Sequence, residues 1–226
     1  MPGTSCIPNA RWAISGRSNM KYCGSIAAAI DLKKGDEIHC DYMQCLSGTY
    51  VRREVIKTVL RRICRCERCK DPTECGTFLM ALKCRDNKQC PGDGYLLPEN
   101  PLDNCTWWKC SKCEDAVDAS YVVTVVNRIS EELSDVGMDL DDATLKNLDK
   151  VIKKHKGHTL HENHYLMLQA EYDYCQRIIH LSQHSALYTV RVSYGEKVLD
   201  YANELLQVCE NIMPGMHRYK GNPRKN

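Results

Sequence analysis

The chain has 226 residues, 43% of them hydrophobic and 27% charged, with a formal net charge of +2. Such a composition suits one large or two small globular domains. A nearly neutral chain is a poor coat for nucleic acid, which calls for a strongly basic domain. No apolar run of 18 residues occurs in it, so no membrane-spanning helix is expected.

Fifteen cysteines are the chain's most informative feature. The opening residues, Met1 to Cys6, hold no apolar run, so no secretory signal is expected. Thiols in a chain without one point to a reducing compartment, cytoplasmic or nuclear, where they bind metal or stay reduced. Thirteen of them fall in residues 1–113, and only Cys175 and Cys209 lie beyond. The first half is therefore expected to be β-rich and metal-bearing, and the second to be helical.

Taken in order, residues 10–15 and 20–30 predict two short strands around the turn signal Gly16-Arg17-Ser18-Asn19. Lys33-Lys34-Gly35-Asp36 is a second turn, and Glu37 to Tyr42 predicts a further strand. From Tyr50 the period becomes helical. Val51, Val55, Ile56, Val59 and Leu60 share one face, with Arg52, Arg53, Lys57 and Arg61 on the other, which reads as a solvated face. Cys64, Cys66 and Cys69 then place three thiols in six residues, the density of a zinc site. Its fourth ligand is either the local Cys75 or a cysteine from the β-rich part.

Residues 84–113 are punctuated by Pro91, Gly92, Gly94, Pro98 and Pro101, which forbid long elements. A stretch so short of core needs a metal staple. Cys84, Cys90, Cys110 and Cys113 predict it; the wide first spacing leaves Cys105 as a competitor. Cys23, Cys40, Cys45, Cys175 and Cys209 read as buried apolar thiols.

Beyond residue 114 four helices are predicted. The first carries Val117, Tyr121, Val122, Val125, Val126, Ile129 and Leu133 and ends near Gly137. The second is capped by Asp141 or Asp142, carries Leu145, Leu148, Val151 and Ile152, and closes at Gly157. The third spans about 163–181 with Tyr165, Leu168, Tyr172, Cys175 and Ile179 inward. The fourth keeps helical spacing from Leu187 to Ile212 and stops at Pro214-Gly215. Four such helices predict a bundle or a helical-repeat array. His155, His158, His161 and His164 recur every three residues, but Gly157 breaks any shared helical face, so they are not expected to hold metal.

Three motifs in order resemble the end of a SET domain. Ser5-Cys6-Ile7-Pro8-Asn9 is similar to the close of Asn-His-Ser-Cys-x-Pro-Asn. Leu32 to Ile38 with Asp41-Tyr42 resembles the Gly-Glu-Glu strand and its tyrosine, and Cys64-x-Cys66-x-x-Cys69 resembles the post-SET metal motif. The likeness to SMYD proteins, which join SET to a MYND finger, and to their arthropod members above all, extends further. It runs through Asp71 to Thr77, Gly94 to Pro98, Pro101 to Asp103, Trp108 to Cys113, Leu160 to Tyr165 and Pro214 to Arg218.

The resemblance implies an α+β fold: a partial SET β-fold over 1–63, a post-SET and second cysteine-rich segment over 64–113, and a TPR-like helical region over 114–226. It implies S-adenosylmethionine-dependent methylation of a lysine in a protein or peptide such as a histone tail, in transcription regulation. It also makes Cys6 the fourth ligand of the first of two structural zinc sites, Tyr42 the catalytic-type tyrosine, and His161 and His164 packing residues. Gly3 and Thr4 stand where the family has its cofactor-contacting Asn-His pair. Arg62 stands at the position of an aromatic near the adenine, and a guanidinium can stack there. The Gly-x-Gly cofactor loop and the MYND finger have no counterpart in the sequence, so the chain by itself is expected to be inactive. The other expectation is a zinc-stapled scaffold whose helices bind a peptide. A monomer is expected, with no membrane or direct nucleic-acid partner, and chelation is expected to destabilise 1–113 more than 114–226.

Overall fold

The computed structural model describes residues 5–15, 23–40, 45–85, 90–184 and 188–215. Strands β1 (Ala10–Ser15) and β2 (Cys23–Ala28) form an antiparallel ribbon in register Ala10 with Ala28 and Ser15 with Cys23. Beyond Ala10 the described side chains of this ribbon are exposed, with Trp12 at 49%, Ile14 at 66% and Ile26 at 54%. The 33–36 turn forms: Gly35 takes a φ of 105°, and the Asp36 carboxylate accepts the Lys33 N–H at 2.7 Å. The strand expected over 37–42 reduces, among described residues, to a single bridge between Ala10 and Cys40; residues 41–44 lie outside the described residues.

Helix α1 (Thr49–Leu60) has the expected period but a different phase. It buries Thr49, Arg52 and Ile56 and exposes Val51, Val55 and Val59. Thr49, Arg52, Ile56 and Leu60 lie three and four residues apart and so share a face. That face meets the first cysteine cluster, whose polar neighbours accept what Arg52 donates. The single turn α2 (Glu67–Lys70) follows.

Strands β3 (Leu82–Lys83), β4 (Tyr95–Pro98), β5 (Trp108–Cys110) and β6 (Ala116–Val117) form an antiparallel sheet in that order. Among described residues the 84–113 region adds only Leu96 and Trp108 to a buried core, and that core is completed by elements outside it. Leu82, Leu96, Trp108 and Val117 pack under Val122, Val125 and Ile129 of helix α3 (Ala119–Asp135), with Leu160 and Met167 closing the cluster. The strands are short, but their inward positions all point at one amphipathic helix.

Helix α3 is capped by the Asp118 carboxylate, which accepts the Tyr121 N–H, and stops before Gly137 at φ 81°. Helix α4 (Asp142–His155) is capped by Asp141. Helices α5 (Tyr165–His184) and α6 (Tyr188–Ile212) complete the array. Arg177 of α5 donates to the Gly137 and Asp139 carbonyls before α4, while Glu171 pairs with Lys156 after α4, so α5 runs antiparallel to α4. Tyr194, Lys197 with Tyr201, and Glu204 of α6 meet Asp142, Asp149 and Lys156 in ascending order, so α6 runs parallel to α4. Their shared core is Leu145, Leu148, Ile152, Ala170, Tyr174, Cys175, Ile178 and Tyr201. Ile179, expected inward, is exposed, and Tyr174 and Ile178 take its place because α5 is flanked on two sides. Among the described residues no helix is long and apolar enough to cross a membrane. The chain is thus mixed α and β, with small antiparallel sheets and a helical second half.

Candidate metal centres and an adjoining cleft

Cys6 lies on the loop before β1, Cys64 and Cys66 follow α1, and Cys69 sits in α2. The N–H groups of Cys69 and Lys70 bond the Cys66 carbonyl at 3.0 and 3.1 Å, which turns the chain back and points three sulfurs inward. The Cys6 sulfur lies 3.8 Å from that of Cys64 and 3.5 Å from that of Cys69. All four sulfurs lie within 4.8 Å of one another. Zinc–sulfur bonds of about 2.3 Å in a tetrahedron set sulfurs about 3.8 Å apart, so this quartet can hold a zinc ion. Cys75 is not in the quartet; it is half-buried, with its N–H on the Asp71 carboxylate.

Four crowded thiols cannot share protons evenly. Hydrogen bonding with Cys6 first, then Cys64 and Cys69, holds the Cys66 thiol far below the usual range. Cys64 is lowered to about 7, chiefly through Cys6, while Cys6 and Cys69 are pushed up as donors. Such a cluster is ready to exchange protons for a cation.

The second quartet is Cys84 after β3, Cys90 before β4, Cys110 at the end of β5 and Cys113 in the β5–β6 turn. Cys84 and Cys113 sulfurs are 3.5 Å apart, and those of Cys90 and Cys110 are 3.7 Å apart. Gly94 fits this site tightly: a Cβ there would stand 2.5 Å from both the Cys90 and Cys110 sulfurs. The Lys112 N–H donates to the Cys110 sulfur at 3.4 Å, and the Cys84 thiol donates to the Asp115 carboxylate at 3.5 Å. Cys105, the competitor, is exposed and outside the quartet. Both quartets can therefore hold metal ions.

The histidines that recur every three residues join neither group. His155 bonds Glu132 and Thr159, His161 stacks on Phe78 with ring centroids 4.9 Å apart, and His164 is fully buried. The four remaining buried thiols that lie among described side chains, Cys40, Cys45, Cys175 and Cys209, sit in the interior; Cys23 has no described side chain.

Beside the first quartet lies a cleft of about 520 Å³. Ser5, Ile7, His39, Arg62, Ile63 and Glu67 are among the residues that line it. That volume is in the range of small-molecule sites. Arg62 is exposed and reaches the cleft, whereas Gly3, Thr4 and Tyr42 lie outside the described residues. Sequence reasoning missed Arg52, Arg68 and Glu74. All three are buried against the first quartet: Arg52 donates to the Cys69 sulfur at 3.9 Å and Arg68 to the Cys6 carbonyl at 3.2 Å. The Cys-Glu-Arg-Cys spacing itself put Arg68 there, but a helical charge pattern gave no sign of Arg52.

No family model matches the chain. It is similar to the SET domain-containing protein SmydA-8 of Drosophila melanogaster. It is 31% identical to isoform B over 133 residues, which is 57% of this chain and 28% of that protein. With isoform A the identity is 33% over 134 residues, 57% of this chain and 27% of that protein. The chain thus spans little more than a quarter of the relatives it matches. The likeness to arthropod SMYD-type SET proteins drawn from the motifs is borne out.

Proposed function

We propose, with membership among the SMYD-type SET-domain proteins as the premise, that residues 5–69 form the closing wall of an S-adenosylmethionine cleft in a protein-lysine methyltransferase. The observation that carries the reading is the joining of Cys6 to Cys64, Cys66 and Cys69 beside the 520 Å³ cleft. Zinc in that quartet would supply no chemistry of reaction, since four thiolates leave no open position. It would hold the Ser5–Ile7 segment against the segment that carries Arg62 and Ile63. Arg62 would offer a flat cation for a nucleobase, and Glu67 an acceptor for ribose hydroxyls. Tyr42 would orient the lysine amine. The second quartet would staple the β3–β6 sheet, and the helices would carry the substrate protein or peptide.

The ribbon supports the same reading. Two strands alone are marginally stable in water, and Ile14 and Ile26 are large apolar side chains exposed by 66% and 54%. A further part of a SET fold would cover them. The chain alone is expected to give no methyl transfer to lysine peptides. Sequencing the transcript upstream of Met1 tests the assignment. An in-frame continuation through Asn-His and Gly-x-Gly supports the enzyme, while an in-frame stop codon there leaves a zinc-stapled peptide-binding scaffold as the function.

A further inference from the structure

Arg52, Arg68 and Glu74 form a buried ionic group, exposed by 1%, 0% and 2%. Arg52 pairs with Glu74 through Nη1, and its Nη2 donates to Thr49 Oγ1 at 2.8 Å and to the Cys69 sulfur at 3.9 Å. Arg68 reaches the same Glu74 oxygen at 3.2 Å and donates to the carbonyls of Cys6 at 3.2 Å and Cys45 at 2.7 Å. Glu74 is held in place from the other side, since its Oε1 accepts the Thr49 N–H at 3.0 Å. Its backbone also takes a left-handed φ of 52°, an uncommon state for glutamate.

The charges do not balance within this group. Two guanidiniums face one carboxylate, and among the described residues neither arginine pairs with another acid. An uncompensated buried cation is expensive. The neighbour that can compensate it is the first quartet, because four thiolates around one divalent cation keep a double negative charge. The arrangement is therefore reciprocal: the metal site neutralises the arginines, and the arginines offset the site's excess of thiolate.

We propose that Arg52 is a positioning residue of the first metal site, orienting the Cys69 thiolate and balancing its charge, with Glu74 fixing the guanidinium. The inference rests on the zinc reading of that quartet. It assigns to α1 a face whose task is electrostatic, which is why that face carries an arginine where an apolar residue would pack.

The test compares the zinc-loaded full chain with Arg52→Met and Arg52→Lys. Zinc release to a chromogenic chelator is timed, and alkylation mapping of the cysteines tells which quartet opens. From Arg52→Met the first quartet is expected to lose zinc roughly tenfold faster than wild type, as other outer-shell ligand partners do. Arg52→Lys should fall between the two, and the second quartet should be unchanged. A purely structural role predicts the reverse order, since methionine fills the volume without a buried charge; Met equal to or slower than Lys overturns the proposal. If Arg52→Met does not fold, Arg52→Lys decides: release at the wild-type rate overturns the proposal, and faster release confined to the first quartet supports it. A wild-type chain whose first quartet holds no zinc overturns the zinc reading and the proposal with it.

Discussion

At the scale of single residues, the cysteines were legible and their surroundings were not. Thiol chemistry is written in spacing, so Cys64, Cys66 and Cys69, and Cys110 with Cys113, declare themselves. Cys6 came only through the motif it shares with a family, for nothing in its local sequence says that it meets residue 64. The need for glycine at position 94 was hidden, because closeness to two sulfurs is a tertiary fact. Gly94→Ala places a methyl 2.5 Å from the Cys90 and Cys110 sulfurs. It is expected to leave the chain with one zinc in place of two, the loss confined to the second quartet in cysteine alkylation mapping. Full occupancy of both quartets in that variant would contradict the geometry.

At the scale of elements, period was readable and phase was not. The helices after residue 114 fell close to where their stripes placed them, since α3 and α4 have one buried side each and capping aspartates. Helix α1 was read about one residue out of phase, because its buried face carries Arg52, and hydropathy places arginine in water. Helix α5 is held at its start by two histidines used as acceptors. His161 Nδ1 accepts the Asn163 N–H at 2.9 Å, and His164 Nδ1 accepts the Leu166 N–H at 3.2 Å. Burial lowers His164 to about 3 and His161 to about 4, the latter helped by Lys83.

The sign of the pH dependence follows from those directions. Both histidines have folded values below the unfolded value of about 6.5, so the unfolded chain binds the extra protons and stability falls as pH drops below about 6.5. Glu171 opposes this. Burial pushes it up to about 7 against the pull of Lys156, so it favours the fold as pH falls toward its unfolded value. Two histidines outweigh one glutamate, and the loss continues until pH falls through the folded value of His164, about 3. Urea midpoints at pH 7 and pH 5 are expected to show it. His164→Asn, which keeps a short acceptor at the helix start, should flatten the decline. A slope unaltered by that variant would remove His164 from the explanation.

At the scale of the whole molecule, the cores cross the lines that composition draws. Leu82, Leu96 and Trp108 share one cluster with α3, and Cys45, Leu46 and Leu79 share another with Leu205, Val208 and Ile212 of α6. The sequence shows where cysteines stop, not which helix leans on a sheet. Chelation is therefore expected to release α3 along with the β3–β6 sheet, while α4, α5 and α6 keep their own core. Hydrogen exchange with and without chelator reads this element by element. Undiminished protection in α3 after metal removal would mean that the sheet stands without its staple. The helices around Lys156 offer an independent check. This lysine lies between Glu171 and Glu204 and joins α4 to both later helices. Lys156→Met leaves Glu171 buried without its partner and is expected to cost about 3 kcal/mol or more in urea unfolding at pH 8; a loss below about 1 kcal/mol would show that the pair is not relied upon.

The central claim is that two four-cysteine metal sites, one closed across the chain by Cys6, hold this fold together. Native mass spectrometry of the zinc-supplemented chain measures it directly. The account predicts two zinc ions per chain, one after Cys6→Ser and two after Cys75→Ser. A wild-type chain with fewer than two ions, or loss of an ion with Cys75→Ser but not with Cys6→Ser, would contradict it.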